Sequence, residues 1–284
     1  MNRKPGLVSV VIPFYNHGRF LMEAIDSILA QTYRDFEVIV VDDGSDDPQS
    51  LAVLEAIRIP QVSIHRKSNG HLASARNYGI QRSRGELILT LDADDRFHST
   101  FLEKAVPILE NNPDVGVVTC HVIRFGSKTG LDGHIWRPKG GTVSDFLIEN
   151  NCCGNALFRY RCWEDAGGYD EELRGFEDWD FWIGVTEHGW RIHAIPEVLF
   201  DYRDTPGSLL KTAKRHRPDL MKKIVENHLE TYRSRVADVI FRMELGRDAV
   251  ITEQASRIAM RSLPCRIGNA LLAPVKWARR RPWS

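Results

Sequence analysis

The chain reads as an α/β protein built on a mostly parallel sheet with helices on both faces. Three observations carry this reading. Short Val- and Ile-rich runs alternate with segments of helical periodicity over the first 125 of the 284 residues, which is βαβ repetition. The apolar runs are continuous, as in strands covered on both faces. Polar clusters follow three of these runs, at the carboxyl edge where open parallel sheets bind ligands.

The elements follow in order. Residues 7–12 form the first strand, closed by Pro13. Phe20, Ala24, Ile25, Ile28 and Leu29 recur at helical spacing, so a helix covers about 19–31. Residues 36–41 are the second strand, and Asp42-Asp43-Gly44-Ser45 is a turn. A helix at about 49–57 leads to a third strand at 62–65, a helix at 70–81 and a fourth strand at 86–91. A helix at 100–109 and a fifth strand at 115–123 complete the regular part. Glycine-rich residues 126–141 read as a loop or irregular hairpin. Short helices are expected at 142–149 and 163–168, and a short strand at 156–158. A helix at 178–187 stops at Gly189. Strands are expected at 192–195 and 198–202, and helix from 208 onward, with 216–243 as one long stretch breakable near Pro218. Pro264, Gly268 and Pro274 interrupt the tail.

Composition narrows the class. Hydrophobic content of 43% and charged content of 27% fit a soluble globular protein. Net charge is zero but uneven. Residues 254–284 contain no acid and seven bases, Arg257, Arg261, Arg266, Lys276, Arg279, Arg280 and Arg281, so the rest of the chain carries −7. An acidic body argues against a nucleic-acid binder, which carries its basic stripe on the recognition fold. The five cysteines are odd in number and match no zinc spacing, which suits free thiols in a reducing compartment. Pro13 and Asn16 break the first apolar run, so no signal peptide is expected. No run reaches 18 apolar residues, so no membrane-spanning helix is expected either. A cytoplasmic protein follows.

The chemistry lies in the polar clusters. Asp92 and Asp94 stand at i and i+2 just past the fourth strand, in Leu91-Asp92-Ala93-Asp94-Asp95. Paired carboxylate oxygens suit Mg²⁺ or Mn²⁺, usually shared with phosphates. Read alone, Asp42–Ser45 is a helix-capping turn. It gains meaning beside Pro13-Phe14-Tyr15-Asn16 and the acidic run. Arg76, in the third helix, could pair with a pyrophosphate or buttress Asp92. No Gly-x-Gly-x-x-Gly near a strand, no P-loop lysine and no nucleophile elbow occur. Dehydrogenases, ATPases and hydrolases are disfavoured.

Together these motifs resemble the inverting family 2 glycosyltransferases of the GT-A fold, with a Rossmann-like sheet and here a helical C-terminal extension. The resemblance rests on Val10-Val11-Ile12-Pro13-Phe14-Tyr15-Asn16, Val40-Val41-Asp42-Asp43-Gly44-Ser45, Asn69-Gly70, Ala75-Arg76-Asn77, the acidic run, Glu177-Asp178 and the stretch from Tyr202-Arg203 to Ser208-Leu209. It implies a catalytic domain at 1–210, with a nucleotide-sugar half at about 1–125 and an acceptor half at about 126–210, followed by an extension at 211–284. It further implies a nucleotide-sugar donor, UDP-linked by preference, and Mn²⁺ or Mg²⁺. Phe14 and Tyr15 would flank the base, and Asp43 would bond its imide. Asp42 would bind ribose or steady the loop. Asp92 would contact ribose or the metal's water shell, and Asp94 would ligate the metal. Pro13, Asn16, Gly70, Ala93 and Arg203 fall within the implied donor site.

Inverting transfer needs a stabilised leaving diphosphate and a base for the acceptor hydroxyl. By resemblance Asp178 is that base, and Glu177 positions the base or the acceptor. Read alone, the Glu177–Asp180 acids suit a helix N-terminus. Asn155 and Trp179 are candidate acceptor contacts, Trp179 equally a core residue. The acceptor would be a glycan or lipid-linked glycan, extended by single additions. Leu271, Leu272, Val275, Trp277 and the arginine cluster suit peripheral contact with an anionic membrane. The C-terminal helices could also form a lid or a homo-oligomer contact. The competing reading is a non-catalytic nucleotide-sugar-binding protein or a pyrophosphorylase-like nucleotidyltransferase. The pyrophosphorylase reading lacks its basic glycine-rich loop here, and an inactive module would be expected to lose one of these carboxylates.

Overall fold

The computed structural model describes residues 3–126, 132–205 and 209–245. The basic tail lies outside them. Strand β1 (Lys4–Phe14) is followed by α1 (Gly18–Leu29), β2 (Phe36–Asp42), α2 (Pro48–Ala56), β3 (Val62–Arg66), α3 (His71–Arg82) and β4 (Gly85–Thr90). Next come β5 (Arg96–Phe97), α4 (Phe101–Asn111), β6 (Val115–Phe125), β7 (Ile135–Trp136), α5 (Val143–Phe146), β8 (Leu157–Arg159) and α6 (Tyr160–Asp165). The last are α7 (Glu177–Glu187), β9 (Arg191–Arg203), α8 (Leu209–Arg215), α9 (Arg217–Asn227) and α10 (Leu229–Ser234). Two compact units divide the chain at 234/235. In the second, residues 236–245 are helical. No described helix is long and apolar enough to cross a membrane.

One sheet organises the first unit, in the order β3-β2-β1-β4-β8-β6-β9-β5, with β7 on β6. The long pairings, β1 with β2 and β4, β2 with β3, and β6 with β9, are parallel. The expected mostly parallel sheet is therefore present. Within it β8 runs antiparallel between β4 and β6, and the two-residue strands β5 and β7 pair antiparallel with β9 and β6.

Strand alternation sends β1 side chains to both faces. Val8, Val10 and Ile12 share a core with Leu21, Ala24, Ile25 and Ile28 of α1 and Phe101, Leu102, Ala105 and Leu109 of α4. Those helical residues recur every three or four positions, so each helix lays one stripe on the sheet. Each fully buried Leu or Ile contributes roughly 1.5–3 kcal/mol. On the opposite face α3 lies close to the sheet. A Cβ added at Gly79 would stand 2.5 Å from Val11 Cγ1 and 3.0 Å from Val41 Cγ2. Only glycine lets α3 approach so near, and α3 carries Arg76 one turn earlier.

Some elements differ from expectation. The two strands expected at 192–202 are one strand, β9, with register shifts at His121 that absorb the irregularity. The two-residue strands β5 and β7 are too short to leave a periodic signal. Residues 126–141 include a hairpin return, since β7 pairs antiparallel with β6. The long helix expected at 216–243 is divided, and Pro218 begins α9 rather than breaking it. Proline is tolerated there because a first-turn N–H has no intrahelical acceptor. Helix α7 is buried nearly all round, with Trp179, Phe181, Trp182, Ile183 and Val185 inside.

Gly79→Ala is expected to lower unfolding free energy by about 1–3 kcal/mol through overpacking of α3 on β1 and β2. Urea denaturation of the two proteins measures this. An unchanged midpoint would show that α3 can recede without cost.

Candidate active site

The loops after β1 and β2 are joined to each other and to the start of α3, and Arg76 of α3 joins the loop after β4 to the N-terminus of α7. Asn16, at φ 55°, locks the first loop to the second. Its amide donates to Asp46 Oδ1 at 2.7 Å, and its Oδ1 accepts from the N–H groups of Asp46 and Asp47. Asp42 Oδ1 accepts from Ser45 N–H at 2.9 Å, so Asp42 steadies its own turn. Asp43 Oδ1 accepts from Lys67 Nζ at 2.8 Å and Gly70 N–H at 2.9 Å, joining the second loop to the start of α3. Gly44 has φ +79° and lies so near Asn69 that a Cβ would stand 2.9 Å from its nitrogen. A side chain there would be both strained and crowded.

The acidic loop is held by three residues. Asn155 Oδ1 accepts from Asp92 N–H at 2.8 Å, and its amide reaches Asp92 Oδ2 at 3.4 Å and Asp95 Oδ2 at 3.3 Å. Arg203 donates its backbone N–H to Asp95 Oδ1 and Nε to Asp94 O, both at 2.7 Å. Arg76 donates to Asp92 Oδ1 at 2.8 Å. Asp95 is buried, and burial followed by repulsion from Asp94 and Asp92 pushes its carboxyl well above the usual range. Asp94 is more open. Burial and then Asp92 raise its pKa too, and no cationic side chain of the described residues pairs with its carboxylate.

Arg76 also donates to Glu177 Oε1 at 2.8 Å. Its side chain is 2% exposed. Burial opposes its charge, but Asp92 and Glu177 outweigh that and raise its pKa. Both amino groups of Arg76 are thus occupied by carboxylates, the geometry of the buttressing reading. Helix α7 opens on Phe176 in the left-handed region, φ 58°. Three acids, Glu177, Asp178 and Asp180, fill its first turn, where the helix dipole favours negative charge. Burial pushes Glu177 up to about 7 against the pull of Arg76. Burial likewise raises Asp178. Asp180 turns away to Asn227 and His228.

Several expected contacts are corrected. The Phe14 ring is 1% exposed in the core, so it forms no wall of a base pocket. Tyr15, 45% exposed, is the open aromatic of that loop. Pro13 and Ala93 are buried and offer only backbone. Trp179 is 2% exposed and donates Nε1–H to Phe146 O at 2.6 Å, so it is a core residue rather than an acceptor platform. Asn155 binds the acidic loop, through the Asp92 backbone and the Asp92 and Asp95 carboxylates. The Arg203 guanidinium donates to Asp94 O and Glu23 Oε2, beside the acidic loop. Cys120, Cys152, Cys153 and Cys162 are buried free thiols whose pKa burial raises, which makes them unreactive. Sequence reasoning missed Asn150, whose amide donates to Asp178 Oδ2 at 2.9 Å.

Among the described residues no group of three or more His, Cys, Asp or Glu side chains is gathered as a protein-only metal cage. Asp94, with the Asp92 carboxylate beside it, has no ion pair with a cationic side chain among the described residues, although His17 and Arg203 lie near enough to lower its pKa, and it could hold a cation.

Comparison with known proteins agrees with this geometry. Residues 9–165 match the family model described as Glycosyl transferase family 2. The uncharacterized glycosyltransferase RT0329 of Rickettsia typhi is 41% identical over 69% of this chain and 61% of its own length. The uncharacterized glycosyltransferase EpsJ of Bacillus subtilis is 28% identical over 94% of this chain and 79% of its own. Across the first relatives matched, this chain spans from 25% to 79% of their lengths. A crystal structure of S. aureus TarS in complex with UDP-GlcNAc superposes with a TM-score of 0.64, 21% identity, and coverage of 78% of this chain and 66% of that one. That likeness establishes the GT-A fold.

The raised Glu177 pKa has a sign that can be measured. Between the ordinary value of 4.5 and about 7 the folded state holds a proton that the unfolded state has lost. Stability therefore falls as pH rises through that window. Glu177→Gln is expected to flatten this slope in urea titrations from pH 4.5 to 7. An unchanged slope would remove Glu177 as its source.

Proposed function

The chain belongs to glycosyl transferase family 2, and on that premise we propose that it moves a sugar from a nucleotide-diphosphate sugar to an acceptor hydroxyl with inversion. The donor is UDP-linked, and the acceptor is a glycan or lipid-linked glycan. One observation carries the reading. Arg76 draws the Glu177–Asp178 end of α7 to the acidic loop after β4, so a base and a phosphate-side loop share one site.

The residues divide the work. Asp43 has Oδ1 occupied by Lys67 and Gly70, and Oδ2 lies outside those bonds, suited to accept from a base imide N–H. Tyr15 covers the base from the exposed side. The UDP-GlcNAc complex of TarS supports a UDP-sugar here. Asp94, with Asp92 beside it, would hold Mn²⁺ or Mg²⁺. When bound, that ion neutralises charge gathering on the departing phosphate. Asp178 is half-buried at the N-terminus of α7 and takes the acceptor proton. Its raised pKa makes it a better base than an open aspartate. Glu177 keeps Arg76, and with it the acidic loop, in register. The basic tail reaches an anionic membrane surface in this reading, which would suit a lipid-linked acceptor.

Asp178→Asn is expected to lower UDP release from UDP-GlcNAc by roughly 10²–10⁴-fold while calorimetric donor affinity stays near that of the parent protein. Equal loss of binding would sink the base assignment. Full donor binding with no transferase activity in the parent, whatever the acceptor, would favour a binding module. Asp94→Ala is expected to abolish the Mn²⁺-dependent part of donor binding. Unchanged metal dependence would remove Asp94 as the ligand.

A further inference from the structure

The segment between α5 and β8 touches the site at both ends. At one end Asn155 holds the Asp92 backbone. At the other, Asn150 donates to Asp178 Oδ2. Between them the backbone is pinned. Thr90 Oγ1 donates to Gly154 O at 2.9 Å, Cys153 N–H donates to Thr119 Oγ1, and Asn151 Nδ2 donates to Asp145 O at 2.7 Å. Gly154 is pressed against the carboxylate as well. A Cβ there would stand 3.2 Å from Asp178 Oδ2 and 3.4 Å from its Cβ.

The amide of Asn150 is oriented by its own neighbour. Cys152 N–H donates to Asn150 Oδ1 at 3.2 Å. With its oxygen engaged there, Asn150 can only present its NH₂ to Asp178. Among the described residues no second side chain donates a hydrogen bond to this carboxylate, and the Trp179 N–H is its backbone donor. We propose that Asn150 is a positioning residue for the proton-accepting carboxylate of Asp178, holding Oδ2 so that Oδ1 faces the acceptor hydroxyl. The catalytic consequence rests on the transferase reading above, while the contact itself does not.

The electrostatics around Asp178 give the contact a measurable sign. Burial raises its pKa, and the Asp92 charge raises it further. Arg76 lowers it, as do the Asn150 amide and the Trp179 N–H. Glu177, Tyr169 and Cys152 are the other titratable groups near enough to interact with it. Asn150 is the only uncharged side chain donating a hydrogen bond to it among the described residues. Its loss therefore favours the protonated acid, and the base is lost at higher pH than in the parent protein.

The test pairs a readout on the free protein with one on catalysis. Carbon-13 NMR of γ-labelled aspartate follows the Asp178 carboxyl, identified by its absence in Asp178→Asn. The midpoint is expected to move to higher pH in Asn150→Ala, and further in Asn150→Asp, which sets a like charge beside it. In parallel, kcat for UDP release from UDP-GlcNAc is expected to fall roughly ten- to hundredfold in Asn150→Ala with KM for the donor little changed. Its acid limb is expected to shift upward. An unmoved or lowered midpoint in both variants overturns the proposal, as does a moved midpoint with unchanged kcat and pH profile. If Asn150→Ala does not fold, Asn150→Asp carries the same comparison. If Asp178→Asn retains full activity, the transferase reading of Asp178 fails, and the NMR midpoint still reports on the contact.

Discussion

A single buried guanidinium joins parts of the chain about a hundred residues apart. Arg76 lies under the site with Asp92 on one amino group and Glu177 on the other. A charge placed so deep is tolerable only when paired, since the desolvation penalty is several kcal/mol per ion. The pairing therefore works as a constraint on both partners. The loop after β4 and the first turn of α7 must arrive together, or Arg76 is left stranded. The close seating of α3 at Gly79 and the left-handed turn at Phe176 both serve this meeting. One sets the depth of the arginine, and the other aims Glu177 at it.

The negative charge of the site is unevenly compensated. Asp92 has Arg76, and Glu177 shares it. Asp42 and Asp43 face Arg66 and Lys67. Asp94, Asp95 and Asp178 have no side-chain ion pair among the described residues, and burial raises all three. Asp95 is reconciled to its place by hydrogen bonds from Arg203 and Asn155. In the proposed transferase reading Asp94 and Asp178 are the two reactive ends, one toward a cation and the other toward a proton, the asymmetry that glycosyl transfer to a hydroxyl requires.

The parallel half of the fold was legible because its strands are covered on both faces and so read as unbroken apolar runs. The clusters after β1, β2 and β4 were legible for a related reason, since polar residues so placed have few structural excuses. Burial within a motif was not legible. Phe14 and Trp179 flank functional residues in the sequence, yet their side chains point into the core. The reversal at β8 could not be read from three residues with no directional mark. Arg76 was left open between two roles because sequence shows that a charge exists but not what it faces. Asn150 gave no signal at all. Glu149 precedes it and an asparagine and two cysteines follow it, and only the fold brings it to Asp178.

The reversal of β8 has a consequence for how such a protein can diversify. Because β8 runs against β4, its lead-in arrives at the carboxyl edge, the same edge that carries the acidic loop. A parallel strand in that slot would have delivered its lead-in to the far side of the sheet. The lead-in to β8 is therefore tethered at that edge twice, by Asn150 to Asp178 and by Asn155 to Asp92. In the proposed transferase reading, sequence change ahead of those two tethers would alter what surrounds the cleft while the tethers hold the spacing of the two carboxylates.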